Sequence, residues 1–330
     1  MLRSTPPLLF SIACLCIGFA TLTIQAGNPE DLPLDTRFKG QANFEKIVKK
    51  AKAEDWASLP IGDRIAKFAH ELRGLPYISF SLEIDDHIEA PSANLDGLDC
   101  WTFFEIALGL ARMVAYEKDS YSPQDLLDQI EFTRYRAGSC SGHYLERIHY
   151  LGEWFFENEA RGVADDFTRT FDSAVRIQDR EVHEMTNLAK HYRYLRENPE
   201  LVPKMAILQE QIERLPVYFI PKDKVAAIEG KLQDGDIIGI ATRHDGGFCS
   251  HVGLAMRTDD GVMRLMHATT QKQYRKVIID DSISEYLARL SSTVGIIVAR
   301  PLEVDKTVHD SKTYRKNLAK LTDGVKVTFR

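Results

Sequence analysis

A chain of 330 residues, 44% hydrophobic and 27% charged, has the composition of an ordinary folded protein and the length for one large domain or two small ones. Its formal net charge of -6 argues against a nucleic-acid partner, which calls for a basic face. No internal repeat appears at the ~20–50-residue periods of solenoids.

Residues 1–26 read as a signal peptide, with Arg3 as a positive start, an apolar run over 8–24 and small residues at Ala26-Gly27. The alternative is an uncleaved anchor, since ~17 apolar residues approach the lower limit for crossing a bilayer. No later stretch is long and apolar enough to span a membrane, so the mature chain is expected to be exported and to keep no integral membrane segment. Residues 27–59 read as a polar, Pro-containing lead-in and a helix over 44–53. A second amphipathic helix is expected over 62–72, with Ile65, Phe68, Ala69 and Leu72 facing inward. Gly74-Leu75-Pro76-Tyr77 breaks it, and polar–apolar alternation over 79–84 predicts a strand.

The stretch from Asp96 to Glu105 organises the rest. Apolar residues at 103, 104, 107, 108, 110 and 111 recur at helical spacing, which predicts a buried helix starting at Cys100 with Asp99 as its N-cap. A cysteine there sits at the positive end of a helix, where a thiolate is favoured.

Residues 118–215 read as a mostly helical insertion that lines or covers a cleft. Ser122-Pro123 caps a helix to 130, and 201–215 forms another, ended by Pro216. Tyr150, Trp154, Phe155 and Phe156 cluster at helical spacing, which favours core packing over a ligand platform. From 217 the pattern turns to strands: 217–220, 237–241, a hairpin of 251–257 with 262–267, then 276–279 and 294–300. Helices are expected over 222–230 and 282–290, and 303–330 reads as a weakly ordered polar tail with room for one helix.

Five cysteines are present, and Cys14 and Cys16 leave with the signal. Cys100, Cys140 and Cys249 remain, an odd number, so one stays unpaired and Cys100 is the choice. A Cys140–Cys249 disulfide and two inert thiols are both open. Neither CxxC nor HExxH spacing occurs, so no metal and no cofactor is expected.

His251, Gly253 and Ala255 share one face of their strand, and Met263, Leu265 and His267 share one face of the next. An odd hairpin turn sets the two histidines opposite each other, with Leu265 facing Gly253 and Met263 facing Ala255. The small residues would admit the Cys100 helix. That supplies a nucleophile, a base and a group that orients the base. The Cys100 amide, with the Tyr77 hydroxyl, would stabilise an oxyanion. His244 sits in a Gly-rich loop that reads as solvated, and His143, His149, His183 and His191 read as surface residues of charged helices.

These residues resemble the NlpC-type, papain-like cell-wall cysteine hydrolases, in Gly74-Leu75-Pro76-Tyr77, Asp99-Cys100, Gly235-Asp236-Ile237-Ile238, Ser250-His251-Val252-Gly253 and His267-Ala268. They are more similar still to the N-acetylmuramoyl-L-alanine amidase-like branch. Its counterparts here are Leu98 to Glu105, Tyr135-Arg136-Ala137-Gly138, Arg147-Ile148-His149-Tyr150 with Trp154, and His267-Ala268-Thr269. The resemblance spans residues 60–302. It implies a papain-like α+β fold, with the nucleophile helix packed on an antiparallel sheet, and Cys100, His251 and His267 as the catalytic triad. It also implies hydrolysis of the bond between N-acetylmuramic acid, intact or 1,6-anhydro, and L-alanine, with Arg136, Arg147 and Tyr150 contacting a peptidoglycan or muropeptide substrate; the signal segment places this in the periplasm, with secretion or a signal anchor as alternatives. The alternatives are a stem-peptide endopeptidase cutting between γ-D-glutamate and the diamino acid, and a non-catalytic muropeptide-binding module. A permuted acyltransferase is disfavoured, because there the histidine precedes the cysteine.

Overall fold

The computed structural model describes residues 27–178, 180–243, 248–307 and 310–329; the expected signal peptide and His244 lie outside the described residues. Eight strands form one antiparallel sheet: β1 (Ala164–Asp166), β2 (Val175–Arg176), β3 (Tyr218–Pro221), β4 (Ile237–Thr242), β5 (Cys249–Arg257), β6 (Met263–Ala268), β7 (Val277–Ser282) and β8 (Thr293–Pro301). The order is β2-β3-β8-β4-β5-β6-β7, and β1 pairs with the far half of β8 on the edge that β3 also uses.

Every residue of β4 is buried, because both faces of the sheet are covered. Ile237, Val252, Leu254, Met256, Met266 and Ile297 face the larger core, which holds α3 (Cys100–Val114). Their neighbours Ile238, Ile240, Ala255, Leu265 and Val298 face a smaller core. That second layer is α7 (Lys222–Ile228) and α8 (Ile283–Ala288), which contribute Val225, Ile228, Ile283 and Leu287. Helix α3 is central: 13 of its 15 residues are buried, between the sheet, α2 (Ile61–Leu72) and α4 (Pro123–Arg134). Its one buried acid, Glu105, is held by Arg134 at 2.8 Å, with both side chains fully buried. Removing either partner strands a charge, at a cost of about 3–5 kcal/mol.

Three sequence expectations change. Residues 79–84 form turns rather than a strand, with Phe80 at φ 58° and 65% exposed. Alternation alone cannot make a strand without a ladder partner, and here Tyr77 pairs with Leu98 while Ser81 Oγ donates to Asp99 Oδ2. The span 118–215 is helical only in α4, α5 (Leu151–Ala160), α6 (Val202–Glu213) and short turns; it also supplies β1 and β2, strands too short to show a period. The C-terminal segment is not a loose tail. Helix α9 (Ser311–Leu321) packs on α5, the Tyr314 hydroxyl donates to Glu157 at 2.8 Å, and Phe329 stacks on His143. Only its Leu318 and Leu321 side packs against the core, so its composition stays polar.

The β5–β6 hairpin closes over Thr258 to Val262 and pairs Arg257 with Met263, Ala255 with Leu265 and Leu254 with Met266. The turn is odd, as expected, but the register lies two residues from the expected one, and β5 and β6 stop pairing before the histidines. Gly253 makes the crossing possible: a Cβ there would lie 2.6 Å from the Met266 carbonyl oxygen and 3.0 Å from His267 Cβ. Gly253→Ala is therefore expected to cost about 1–3 kcal/mol, read as a fall in denaturant midpoint. An unchanged midpoint would contradict this packing.

Candidate active site around Cys100

Helix α3 begins as the sequence implies. Asp99 Oδ1 accepts from Thr102 N at 2.8 Å, and Thr102 Oγ1 accepts from Asp99 N at 3.0 Å, a reciprocal cap that fixes the first turn. The bridge from Tyr77 to Leu98 anchors the preceding loop, with Leu98 N donating to Pro76 O and Ile78 N donating to Leu98 O, both at 3.0 Å. Tyr77 is thereby placed beside the start of α3.

The helix does not approach Gly253 and Ala255, as the small residues suggested. That face packs against α8, and α3 lies on the opposite face, against Val252, Leu254 and Met256. Cys100 instead meets β5 at an unpaired end of the ladder. Ala255 N donates to Asp236 O on the β4 side, so the alternate amides of Leu254 and Val252 point toward β6. Pairing with β6 ends at Leu254, and the Val252 amide donates to the Cys100 sulfur instead. The adjoining residue is His251, set off by a bulge at the Ile240–Ala241 step of the β4–β5 pairing.

The two histidines do share a face. His251 Nε2 lies 2.6 Å from His267 Nδ1, and His267 Nε2 lies 3.2 Å from Asp280 Oδ2. Arg289 Nη2 donates to the other oxygen of Asp280 at 2.6 Å, and Tyr286 packs edge-on to His267 at 5.2 Å between ring centres. With both rings neutral, this chain has one consistent assignment of protons. The Asp280 carboxylate accepts from His267 Nε2–H, so His267 Nδ1 is an acceptor and His251 Nε2 must donate to it. His251 Nδ1 is then left with a free lone pair. Asp280 lies one residue past the strand that the sequence predicts over 276–279, which in the structure runs on to Ser282. His267 pairs with Ile278, so Asp280 is the next side chain on that same face.

A cavity of about 420 Å³ opens at Cys100. Tyr77, Trp101, Arg147 and Tyr150 line it, whereas His251 and His267 are not among its lining residues. Arg136 does not line it either; its guanidinium is held by Glu153 and by the Leu145 and Arg147 carbonyls. Arg147 reaches the wall while paired with Glu83 at 3.3 Å and Glu89 at 3.4 Å. Of the aromatic cluster, Trp154, Phe155 and Phe156 are core, and Tyr150 alone faces the cavity. His149, expected on a surface helix, lines the cavity from a loop and bonds the Tyr144 carbonyl through Nε2 at 3.2 Å. The three cysteines among the described residues are free, with Cys249 on the cavity wall and the Cys140 thiol donating to Glu89 O. Among the described residues no cluster of His, Cys, Asp or Glu is placed to hold a metal ion.

A family model described as AmiA-like, N-acetylmuramoyl-L-alanine amidase-like, matches residues 67–296. An N-acetylmuramoyl-L-alanine amidase from Bacteroides uniformis aligns with TM-score 0.65 at 26% identity, covering 74% of this chain and 99% of the other. A Bacteroides fragilis protein provisionally designated a xylanase gives 0.62 at 29% identity, over 71% of this chain and 99% of its own. Protein LPG0564 of Legionella pneumophila, at 22% identity, shares the fold, with TM-score 0.58 over 79% and 95%. No curated protein matches the chain.

The electrostatics set the resting proton positions. Burial and the Asp99 carboxylate push the Cys100 thiol up to about 12, against the amides of Val252, Cys100 and Trp101. Burial and His267 hold His251 well below its ordinary value. Burial, Cys100 and Asp99 raise Tyr77, which keeps its proton. The helix terminus alone therefore does not yield a resting thiolate. Cys100 thus rests as a neutral thiol and His251 as a neutral imidazole. Alkylation of Cys100 by iodoacetamide, followed on its own peptide by mass spectrometry, is expected to accelerate about tenfold per pH unit from pH 6 to 9. Fast, pH-independent alkylation between pH 5 and 8 would show a thiolate–imidazolium pair instead.

Proposed function

We propose, for a chain that belongs to the AmiA-like family of N-acetylmuramoyl-L-alanine amidase-like proteins, that it is a cysteine amidase cutting the bond between N-acetylmuramic acid and L-alanine in peptidoglycan fragments. The observation that carries this reading is the chain from Asp280 through His267 to His251, which ends one residue from the amide that holds the Cys100 sulfur. We assign the fold to the papain-like, NlpC-type group on the same grounds: a cysteine opening a central helix against an antiparallel sheet that carries the histidines.

In the proposed reaction Cys100 Sγ attacks the lactyl carbonyl carbon while its proton passes to His251 Nδ1. His267, fixed by Asp280, accepts the hydrogen bond from His251 Nε2 and stabilises the imidazolium as it forms. The Cys100 amide and the Tyr77 hydroxyl donate to the oxyanion; loss of one such donor typically costs on the order of 100-fold or more. Collapse of the tetrahedral intermediate breaks the C–N bond, and His251 returns the proton to the departing amine of L-alanine. Water, deprotonated by His251, then hydrolyses the thioester and frees Cys100. Residues 1–26 as a signal peptide would place this work in the periplasm. Among the described residues no helix is long and apolar enough to cross a membrane.

Cleavage within the stem peptide would use the same thiol, and a binding module would leave the bond intact. Product masses separate the three. From a defined muropeptide the protein is expected to release a peptide beginning with L-alanine, whereas Cys100→Ala releases none above a residual rate lower by about 10⁴-fold or more. A muramoyl product retaining L-alanine and D-glutamate would make it an endopeptidase. Asp280→Ala is expected to lower kcat by roughly 10–100-fold with little change in KM, because it frees the tautomer without touching substrate. Unchanged kcat would remove Asp280 from the mechanism. EDTA is expected to leave the rate unchanged, and strong inhibition would point to a metalloamidase.

A further inference from the structure

Arg180 lines two cavities at once, the one at Cys100 and a larger groove of about 1080 Å³. Phe248 lines both as well, so the two spaces meet at one guanidinium and one ring. Four arginines in this half of the molecule have carboxylate partners within 3.6 Å, Arg134 with Glu105, Arg136 with Glu153, Arg147 with Glu83 and Arg161 with Glu157, whereas buried Arg112 on α3 makes no such pair among the described residues. Arg180 makes no such pair among the described residues; its Nη2 donates to the Ile212 carbonyl. The carboxylates that reach it electrostatically are engaged elsewhere, Glu213 by the Val182 amide at 3.1 Å and Glu153 by Arg136 at 2.7 Å.

Burial lowers the Arg180 guanidinium to about 10, which leaves it a cation at neutral pH. A partly desolvated guanidinium with no ion pair among the described residues is open to a carboxylate from a ligand. The groove beyond it repeats that charge. Arg176, Arg180, Lys222 and Arg243 face it against Glu181 and Asp223, in a chain whose net charge is -6. Its aromatic wall is Phe219 edge-on to Phe248, with ring centres 5.5 Å apart.

We propose that Arg180 is the carboxylate-binding residue for the leaving peptide. It grips the free α-carboxylate of D-glutamate, and the groove beyond takes the rest of the stem. This rests on the amidase reading. When D-glutamate is linked through its γ-carboxyl, its α-carboxylate is the first free acid after L-alanine. Arg180 shares a cavity with Cys100, so this acid, nearest the scissile bond, is the one in question. A guanidinium offers it two parallel hydrogen bonds.

The test uses N-acetylmuramoyl-L-alanyl-γ-D-glutamyl-lysine and its D-isoglutamine form, in which that carboxylate is an amide. Binding to the Cys100→Ala protein is measured by calorimetry, without and with Arg180→Gln. Amidation is expected to weaken binding at least about tenfold. Arg180→Gln should weaken the acid by a similar factor and abolish the preference, and Arg180→Lys should restore part of it. Equal binding of acid and amide would overturn the proposal, as would Arg180→Gln weakening both alike, or no binding of either. Turnover by the protein with Cys100 intact reads the amidase assignment separately. Arg180-dependent preference without release of L-alanyl peptide leaves the subsite standing and removes the proposed bond. Release without preference does the reverse.

Discussion

The hydrogen bond from His267 to Asp280 is the constraint on which the proposed chemistry depends. Two adjacent histidines have no inherent direction, since either ring can donate. One carboxylate fixes it. Against the raising effect of burial, the hydrogen bonds from His267 and Arg289 hold Asp280 well below the usual carboxylate range, so it is an acceptor at any working pH. Every proton along the chain is then assigned, up to the free lone pair on His251. Tyr286 of α8 and Arg289 just past its end hold this arrangement from the second face of the sheet. That layer is therefore part of the site, although it lies on the side opposite α3.

The sheet solves a geometric problem in the same economical way. Its two faces belong to different cores, the cysteine helix on one and the histidines on the other. The Cys100 sulfur reaches the sheet where the ladder is left open, at the Val252 amide, one residue from His251. The termination of β6 pairing at Leu254, the bulge preceding His251 and the close crossing at Gly253 are thus features of the site as much as of the fold.

Most of this architecture is legible in the sequence, for identifiable reasons. The start of α3 is written in Asp99, Thr102 and the apolar period after them, and the reciprocal cap follows from chemistry local to four residues. The shared face of His251 and His267 follows from parity along two strands. What parity leaves open is register in steps of two, and the hairpin settles two residues away because Gly253 can lie against the Met266 carbonyl. Which face a helix takes is likewise a tertiary outcome: Gly253 and Ala255 serve the strand crossing and α8, not α3. Asp280 and Arg180 were invisible for another reason. Each is an ordinary charged residue whose meaning lies in what stands opposite it, a histidine for one and, among the described residues, no ion-paired carboxylate for the other. Arg136 is the converse, for a motif arginine near the cleft proves to be consumed by Glu153 and backbone carbonyls.

The most direct test of the central claim is the tautomer of His251, read from the ¹⁵N chemical shifts of the imidazole nitrogens in labelled protein near neutral pH. The account predicts a neutral ring protonated at Nε2 and bare at Nδ1, with His267 likewise protonated at Nε2 and a shift toward mixed tautomers in Asp280→Ala. A His251 ring protonated at Nδ1, or charged at both nitrogens while Cys100 is free, would contradict it.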